Sequence, residues 1–268
     1  MKILCQDSID YMVFRNILDN LRMVFDIKVI QDMSHISKAL NEVSPDLLLL
    51  KSEDITGIVT AYCKKNKTKL IAFGDHTDAD MVFKKELDML RPNINTMSFK
   101  DKNIEKSGIS VFVDKQSGKL VADFLAKNYN VKIFGNVKIN SPKYLGVPSQ
   151  VEKYEILNSS KYIIDLGTYD LYDGVLLDTY PLVYTNFNLD PAYKQFDNLV
   201  SLTECLDYIQ DINNEEEIQS NLDVLKNSFF KENSTTFTIE ILNVLGFSQE
   251  SEALNTMLGE NINDWISN

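Results

Sequence analysis

The chain has 268 residues, of which 27 are basic and 39 acidic, and its formal net charge at pH 7 is −12. Its 44% hydrophobic and 25% charged residues are typical of a globular protein, which excludes a disordered, collagen-like or coiled-coil chain. The acidic balance argues against a protein that coats nucleic acid, although it is compatible with a local basic groove.

Cysteine usage and hydropathy indicate the compartment. Cys5, Cys63 and Cys205 are odd in number and lack any C-x-x-C spacing, which predicts reduced thiols in a cytoplasmic protein. No apolar run approaches the roughly 18 residues of a membrane span, and we expect neither membrane association nor a signal peptide. The abundance of Asn, Lys and Ile suggests an AT-rich genome, so we expect the cytoplasm of a bacterium or of a virus-infected host cell.

Eight apolar runs of strand length recur along the chain. They are residues 2–5, 25–31, 46–51, 69–74, 109–114, 131–136, 161–167 and 181–186. Segments between them carry apolar residues three and four positions apart, as at Tyr11, Phe14, Leu18 and Leu21, which predicts amphipathic helices. Strands that alternate with helices and are apolar at nearly every position favour an α/β fold with mostly parallel sheets.

The polar stretch 91–108 shows no periodicity and indicates a linker. We therefore predict two Rossmann-like domains, residues 1–105 and 106–213, followed by a helical tail over residues 214–268. The apolar stripe Ile218, Leu222 and Leu225 fits a tail that packs on the second domain, and equally one that lies across both domains.

Ligands of open parallel sheets bind beyond the carboxyl ends of the strands, so the polar residues there are the candidate site residues. In the first half these are Asp7, Asp75 and His76, each a candidate catalytic base. Each also has a structural interpretation, because Asp7 is a plausible helix N-cap and residues 75–80 resemble a helix start.

Several familiar sites are missing from the sequence. There is no G-x-G-x-x-G after the first strand and no G-x-x-x-x-G-K-[ST]. The two histidines have no Cys or His partner at ligand spacing, so we predict no metal site. Asp78-Ala79-Asp80 has the D-x-D spacing of metal-dependent nucleotide-sugar transferases of another fold, but three residues carry little weight.

Residues 161–186, KYIIDLGTYDLYDGVLLDTYPLVYTN, combine a buried strand, an acidic loop with glycine leading into a short helix, and a second strand opened by Pro181. Together with VKIFGN and YLGVPSQVEKYEILNSS upstream, this pattern resembles the nucleotide-sugar-binding domain of GT-B glycosyltransferases. It is most similar to the small, divergent, spore-maturation-like transferases. The resemblance covers about residues 109–210.

The resemblance implies two Rossmann-like domains in a GT-B-like arrangement. It also implies that a sugar moves from a nucleoside-diphosphate sugar on the second domain to an acceptor on the first, with the nucleotide sugar as substrate and no cofactor. The acceptor is not specified, and a modified DNA base would suit a viral source. The nucleotide-sugar-binding residues that it implies are Gly135, Asn136, Gly167, Thr168, Tyr169, Tyr172, Asp173 and Gly174.

The position of the ribose-binding carboxylate depends on register. Counting back from Pro181 favours Asp173, whereas Asp170 and Asp178 reproduce the eight-residue spacing of the family's paired acidic residues. A carboxylate there can accept both hydrogen bonds of the ribose diol.

The sequence departs from the family in its basic residues. The lysines nearest to the place of the family's diphosphate-neutralising residue, Lys138, Lys143 and Lys161, fall in no matching motif. A noncatalytic GT-B-like binding or assembly protein is therefore the alternative function, and a pair of receiver-like or flavodoxin-like modules is a third. The oligomeric state is left open.

Overall fold

A computed structural model describes residues 1–7, 9–85, 92–101, 103–166, 171–185 and 191–267 of the protein. Within these ranges the strands are β1 Ile3–Gln6, β2 Ile27–Ile30, β3 Leu47–Lys51, β4 Lys69–Phe73, β5 Met81–Phe83, β6 Ile109–Phe112, β7 Val131–Phe134, β8 Tyr162–Asp165, β9 Tyr180–Tyr184 and β10 Lys194–Phe196. The α-helices are α1 Met12–Arg22, α2 Ile36–Val43, α3 Gly57–Asn66, α4 Lys119–Asn128, α5 Gln150–Ser159, α6 Leu171–Leu176, α7 Leu199–Gln210, α8 Glu215–Lys231, α9 Ser234–Val244 and α10 Ser248–Ser267.

The strands form two five-stranded sheets in which every strand pair is parallel. The first has the order β2-β1-β3-β4-β5 and the second the order β10-β9-β8-β6-β7. The predicted α/β class with two Rossmann-like, mostly parallel domains and a helical C-terminal end is confirmed.

The first sheet is covered by helices on both faces. Side chains alternate across a strand, and in β3 Leu47 and Leu49 pack with α1, α9 and α10 on one face. Leu48 and Leu50 pack on the other face, against residues of α2 and α3. All four leucines are fully buried, which explains why this run is apolar at consecutive positions.

The second sheet is likewise built around buried aliphatic strands. Ile163 in β8 packs with Phe112 of β6, Phe134 of β7 and Leu157 of α5, and all four are buried. Phe112 and Phe134 stack with their ring centroids 5.5 Å apart. Burial of such side chains stabilises a fold by about 1.5–3 kcal/mol each.

Capping boxes define where three of the helices begin. The side chain of Ser149 accepts a hydrogen bond from the Glu152 amide at 3.3 Å, and the Glu152 carboxylate accepts one from the Ser149 amide at 2.7 Å. Asn198 and Asn233 make the equivalent boxes at α7 and α9. Each box satisfies amides that have no partner within the helix.

The chain divides into two compact units. The first unit comprises residues 1–91 and 232–268, and the second unit comprises residues 92–231. The segment predicted as one helical tail is therefore divided: α8 belongs to the second unit, whereas α9 and α10 belong to the first and pack on α1 and on each other. The domain limits at residues 105 and 213 stay predictions.

No helix within the described ranges combines the length and the apolar character needed to cross a membrane.

Candidate functional site

At the carboxyl edge of the second sheet, the loops after β6 and β7 are joined by Asp114. Its Oδ1 accepts hydrogen bonds from the backbone amide of Asn136 at 2.7 Å and from Asn136 Nδ2 at 3.0 Å. Both residues are exposed at the surface. The sequence identified Asn136 but not Asp114, although Asp114 is the polar residue that ends the run ISVFVD.

Gly135 lets these two loops approach each other closely. Its φ of +125° lies in a region that residues with a side chain rarely adopt, and a Cβ at this position would lie 2.2 Å from the carbonyl oxygen of Val113. The Gly135 amide donates to the Gly146 carbonyl at 2.9 Å, and its own carbonyl accepts from the Tyr144 hydroxyl at 2.8 Å. The predicted site glycine therefore also shapes the loop that carries Asn136.

A second close approach occurs at the start of α4. Gly118 is buried at the N-cap of α4, and a Cβ there would lie 2.8 Å from the Cβ of Leu166, directly after β8. Lys115 and Lys119 flank this glycine, and Lys119 Nζ donates to the carbonyl of Lys138 at 3.0 Å. Two lysines thus lie at this edge that the sequence analysis did not name; of the three that it named, Lys138 contributes its carbonyl here.

Asp165 connects the end of β8 to the beginning of α6. Its carboxylate is 1% exposed and Oδ2 accepts a hydrogen bond from the Leu171 amide at 3.1 Å. A buried carboxylate is stable only when it is well hydrogen-bonded, so this contact holds the two ends of the intervening loop together. Gly167, Thr168, Tyr169 and Asp170 lie outside the described residues.

Asp173 lies in the first turn of α6 and is engaged by neighbouring side chains. Its Oδ1 accepts a hydrogen bond from Thr96 Oγ1 at 2.8 Å, and Oδ2 lies 3.7 Å from Lys153 Nζ. These contacts fix the carboxylate on the first turn of α6.

The two residues beside Asp173 pack within the protein. The Tyr172 ring makes an edge-to-face contact with Phe229 of α8, with centroids 5.4 Å apart. Gly174 is buried, and a Cβ there would lie 3.2 Å from Ile163 Cγ2. Both positions therefore have a packing role that the sequence did not indicate.

Asp178, the alternative carboxylate, lies in the turn before β9, at the opposite edge of the sheet. It contacts Lys100 and Lys226 there. Lys161 and Lys143 also belong to that edge: Lys161 precedes β8 and pairs with Glu215, and Lys143 Nζ donates to the carbonyl of Tyr129, just before β7. Lys143 and Lys161 are thus placed away from the candidate nucleotide-sugar residues.

In the first unit, Asp7 and the pair Asp75–His76 follow β1 and β4 at the same edge of the sheet. One strand, β3, lies between β1 and β4, which places the two loops about 10 Å apart. Asp75 forms an exposed ion pair with Lys84 at 2.8 Å. His76 Nδ1 accepts a hydrogen bond from the Asp78 amide at 3.2 Å.

Two local interpretations of these residues were wrong. Asp7 does not cap the first helix, because α1 begins at Met12 with Tyr11 at its N-cap. Residues 75–80 do not start a helix but lead into β5, because the amide and carboxylate of Asp80 bond the backbone of Leu70 at 2.9 Å each. Asp78 and Asp80 pair instead with Lys64 and Lys69.

A polar network beside Asp7 was not foreseen from the sequence. Gln6 Nε2 donates to Asp54 Oδ2 at 2.6 Å, and Gln6 Oε1 accepts from the Lys51 amide at 2.9 Å. Gly74, with a φ of +108°, approaches Ser52 so closely that a Cβ would lie 2.2 Å from its hydroxyl oxygen. These contacts lock the carboxyl ends of β1, β3 and β4 together.

Within the described part of the chain, no group of three or more His, Cys, Asp or Glu residues is arranged to hold a metal ion.

Neither a protein-family model nor a curated protein matches the sequence. Solved structures do match the fold. One is HepE from Anabaena in complex with UDP and glucose, which is 12% identical, with a TM-score of 0.58 over 91% of this chain and 99% of that one. Another is the UDP-GlcNAc 2-epimerase from Neisseria meningitidis bound to UDP-GlcNAc. It is 11% identical, with a TM-score of 0.54 over 91% of this chain and 99% of that one. The likeness shows that the fold is GT-B-like over most of the chain.

Proposed function

We propose that the chain is a glycosyltransferase whose second unit binds a nucleoside-diphosphate sugar at the carboxyl edge of its sheet. The observation that carries the proposal is the likeness of 91% of the chain to structures that hold UDP or a UDP-sugar. The close backbone approaches at Gly118 and Gly135 support it, because they occur where open parallel sheets bind nucleotides.

Within this proposal, Asp173 accepts hydrogen bonds from the ribose diol, and the loop with Gly135 and Asn136 lies beside the nucleotide. Lys115 and Lys119 at the start of α4 supply positive charge for the diphosphate, aided by the helix N-terminus. The relation to the spore-maturation-like family is part of the proposal.

The transfer step itself involves one proton and one leaving group. A base, for which Asp7, Asp75 and His76 are the candidates, takes the proton of an acceptor hydroxyl. The acceptor oxygen then bonds to the anomeric carbon while the bond from that carbon to the diphosphate oxygen breaks. The nucleoside diphosphate leaves with the electron pair, and the lysines stabilise its charge.

A second candidate is a nucleotide-sugar epimerase, favoured by the likeness to the Neisseria meningitidis enzyme. The two activities differ in what they require. Epimerisation of UDP-GlcNAc proceeds without an acceptor, whereas transfer releases UDP only when an acceptor is present. Incubation of UDP-GlcNAc with the protein alone, followed by NMR of the sugar, distinguishes them.

Nucleotide binding is tested by thermal stabilisation with UDP, UDP-sugars and other nucleotides. A ligand at 100 times its Kd adds about 2.7 kcal/mol to the free energy of unfolding. We expect stabilisation by a nucleoside diphosphate, and a Kd at least about tenfold weaker for Asp173→Asn, since a hydrogen bond to a charged group contributes about 1.5–3 kcal/mol.

Asp207→Asn, an exposed carboxylate on α7, is the matched control and should bind like the wild-type protein. If no nucleotide stabilises the protein, the enzyme proposal fails and the noncatalytic GT-B-like binding protein is favoured.

A further inference from the structure

A cavity of about 850 Å³ opens at the amino-terminal edge of the second unit's sheet, beside α8. Lys161 and Tyr162 at the start of β8 and Tyr180 at the start of β9 line it. The proposed nucleotide-sugar site lies at the carboxyl edge of the same sheet. The cavity therefore has no part in the function proposed above.

Two lysines at the inner end of this cavity share one carboxylate. The side chains of Lys100 and Lys226 are 22% and 15% exposed, and both ammonium groups contact the carboxylate of Asp178. The two ammonium groups repel each other, and, after burial, this repulsion contributes to the lowered pKa of Lys226. Both cations therefore share the one carboxylate within ion-pair distance, and buried like charges repel strongly.

Lys106 adds a third cation in a fixed position. Its Nζ donates to the carbonyls of Leu157 at 3.1 Å and Ser160 at 3.4 Å and to the Thr179 hydroxyl at 3.1 Å. These three bonds use all the donors of one ammonium group. Lys100 and Lys226, by contrast, are each paired with Asp178 alone within the described part of the chain, and so have donors left for a ligand.

The protonation of these lysines reflects the crowding. Burial, followed by repulsion from Lys100 and Lys106, lowers the pKa of Lys226 to about 8. Burial and then repulsion from Lys100 lower the pKa of Lys106 to about 8 as well. Burial also lowers the pKa of Lys100, while Asp223 on α8 opposes that effect.

The remaining charges around the cavity lie toward its mouth. Lys161 and Glu215 neutralise each other in an ion pair at 2.5 Å, and Glu216 and Asp101 are exposed to water. At the inner end, the three lysines Lys100, Lys106 and Lys226 are opposed by Asp178 and, beyond ion-pair distance, by Asp223, which leaves one positive charge in excess.

We propose that this cavity is a phosphate-binding site in which Lys100 and Lys226 hold the phosphate group of inorganic phosphate or of a small phosphorylated metabolite. A phosphate dianion supplies the missing negative charge and accepts several hydrogen bonds, and lysine binds phosphate as a point charge. The volume exceeds that of phosphate alone and leaves space for an organic body beside the apolar side chains of Ile104, Ile218 and Leu222.

The test is calorimetric titration of the full-length protein with inorganic phosphate at pH 8. We expect Lys226→Met to weaken binding at least tenfold. Lys231→Met, an exposed lysine five residues further along the same helix, is the matched control and should bind like the wild type. Lys226→Met leaves Lys100 paired with Asp178, so the variant should fold, and its circular dichroism checks this.

Proton uptake gives a second readout. Burial lowers the pKa of Lys226 to about 8 and a bound dianion raises it, so binding at pH 8 takes protons from the buffer. The measured enthalpy should therefore change with the ionisation enthalpy of the buffer in the wild type, and less in Lys226→Met, where Lys106 is the remaining lysine with a pKa of about 8.

Asp178→Asn tests the charge balance by removing a negative charge from the cluster, where Lys226→Met removes a positive one. The φ of Asp178 is +61°, which asparagine tolerates, and loss of the competing carboxylate should tighten phosphate binding about tenfold. Titration with glucose 6-phosphate identifies the source of the phosphate: tighter binding than inorganic phosphate supports a phosphorylated metabolite, and equal binding supports the free ion.

Absence of binding at millimolar phosphate would overturn the proposal. Unchanged affinity in both Lys226→Met and Lys100→Met, or displacement of phosphate by UDP, would also overturn it, since the phosphate would then occupy another site. UDP affinity should be equal in the wild type and Lys226→Met, so this inference and the proposed function can fail separately.

Discussion

Gly135 shows how one residue fixes a loop of the candidate site. An alanine there would combine a positive φ with a Cβ 2.2 Å from a backbone oxygen, which no side-chain rotation can relieve. Gly146 also has a positive φ, but a Cβ there would meet nothing within 4 Å. Comparing alanine substitutions at Gly135 and Gly146 separates the free-energy cost of the backbone conformation from that of the steric clash.

We therefore predict that Gly135→Ala lowers the free energy of unfolding by about 3 kcal/mol or more, and Gly146→Ala by only about 1 kcal/mol. Urea unfolding followed by circular dichroism measures both losses. Equal losses in the two variants would show that the Val113 carbonyl moves aside and that the close approach does not depend on glycine.

Some site residues could be predicted from position in the sequence alone. Asp7, Asp75 and Asn136 follow apolar runs, and parallel strands bring such residues to one edge of a sheet. Their partners could not be predicted in this way. Asp114 reaches Asn136, and Asp54 reaches Gln6, only because the sheet sets neighbouring strands in a particular register.

At the scale of elements, α9 completes the core of the first unit from a distant part of the sequence. Leu242 is fully buried with residues of β1, β3 and α1, and the Asn20 amide of α1 lies 3.3 Å from the Thr238 hydroxyl. Val244 on the same helix is 74% exposed. The two positions differ mainly in burial.

Leu242→Ala should therefore destabilise the protein by about 2–5 kcal/mol, and Val244→Ala by less than about 0.5 kcal/mol. Chemical denaturation of the two variants provides the comparison. A small loss in Leu242→Ala would mean that α9 contributes little to this core.

The eight apolar runs found in the sequence all correspond to strands, whereas β5 and β10 were not predicted. Both are three-residue strands at the edges of their sheets, and β5 is only partly buried, so neither has a long apolar run. The division of the helical tail was also not predicted, because an apolar stripe does not specify which sheet its helix covers. The change of unit falls between α8 and α9, near the capping box of Asn233.

At the scale of the whole molecule, the fold followed from sequence periodicity, but the function did not. The order of strands and helices gives two parallel sheets, and many enzymes share this architecture. The net charge of −12 adds a constraint, since an anionic ligand must bind where lysines are concentrated locally. The start of α4 and the inner end of the 850 Å³ cavity are two such places, at opposite edges of the second sheet.

Hydrogen exchange of the full-length protein with and without saturating UDP tests the central claim most directly. The account predicts slower exchange in peptides that cover residues 113–118 and 135–137, at the carboxyl edge of the second sheet, and unchanged exchange in peptides that cover residues 158–162 and 178–180. Unchanged exchange throughout residues 92–231, or protection confined to the amino-terminal edge, would contradict it.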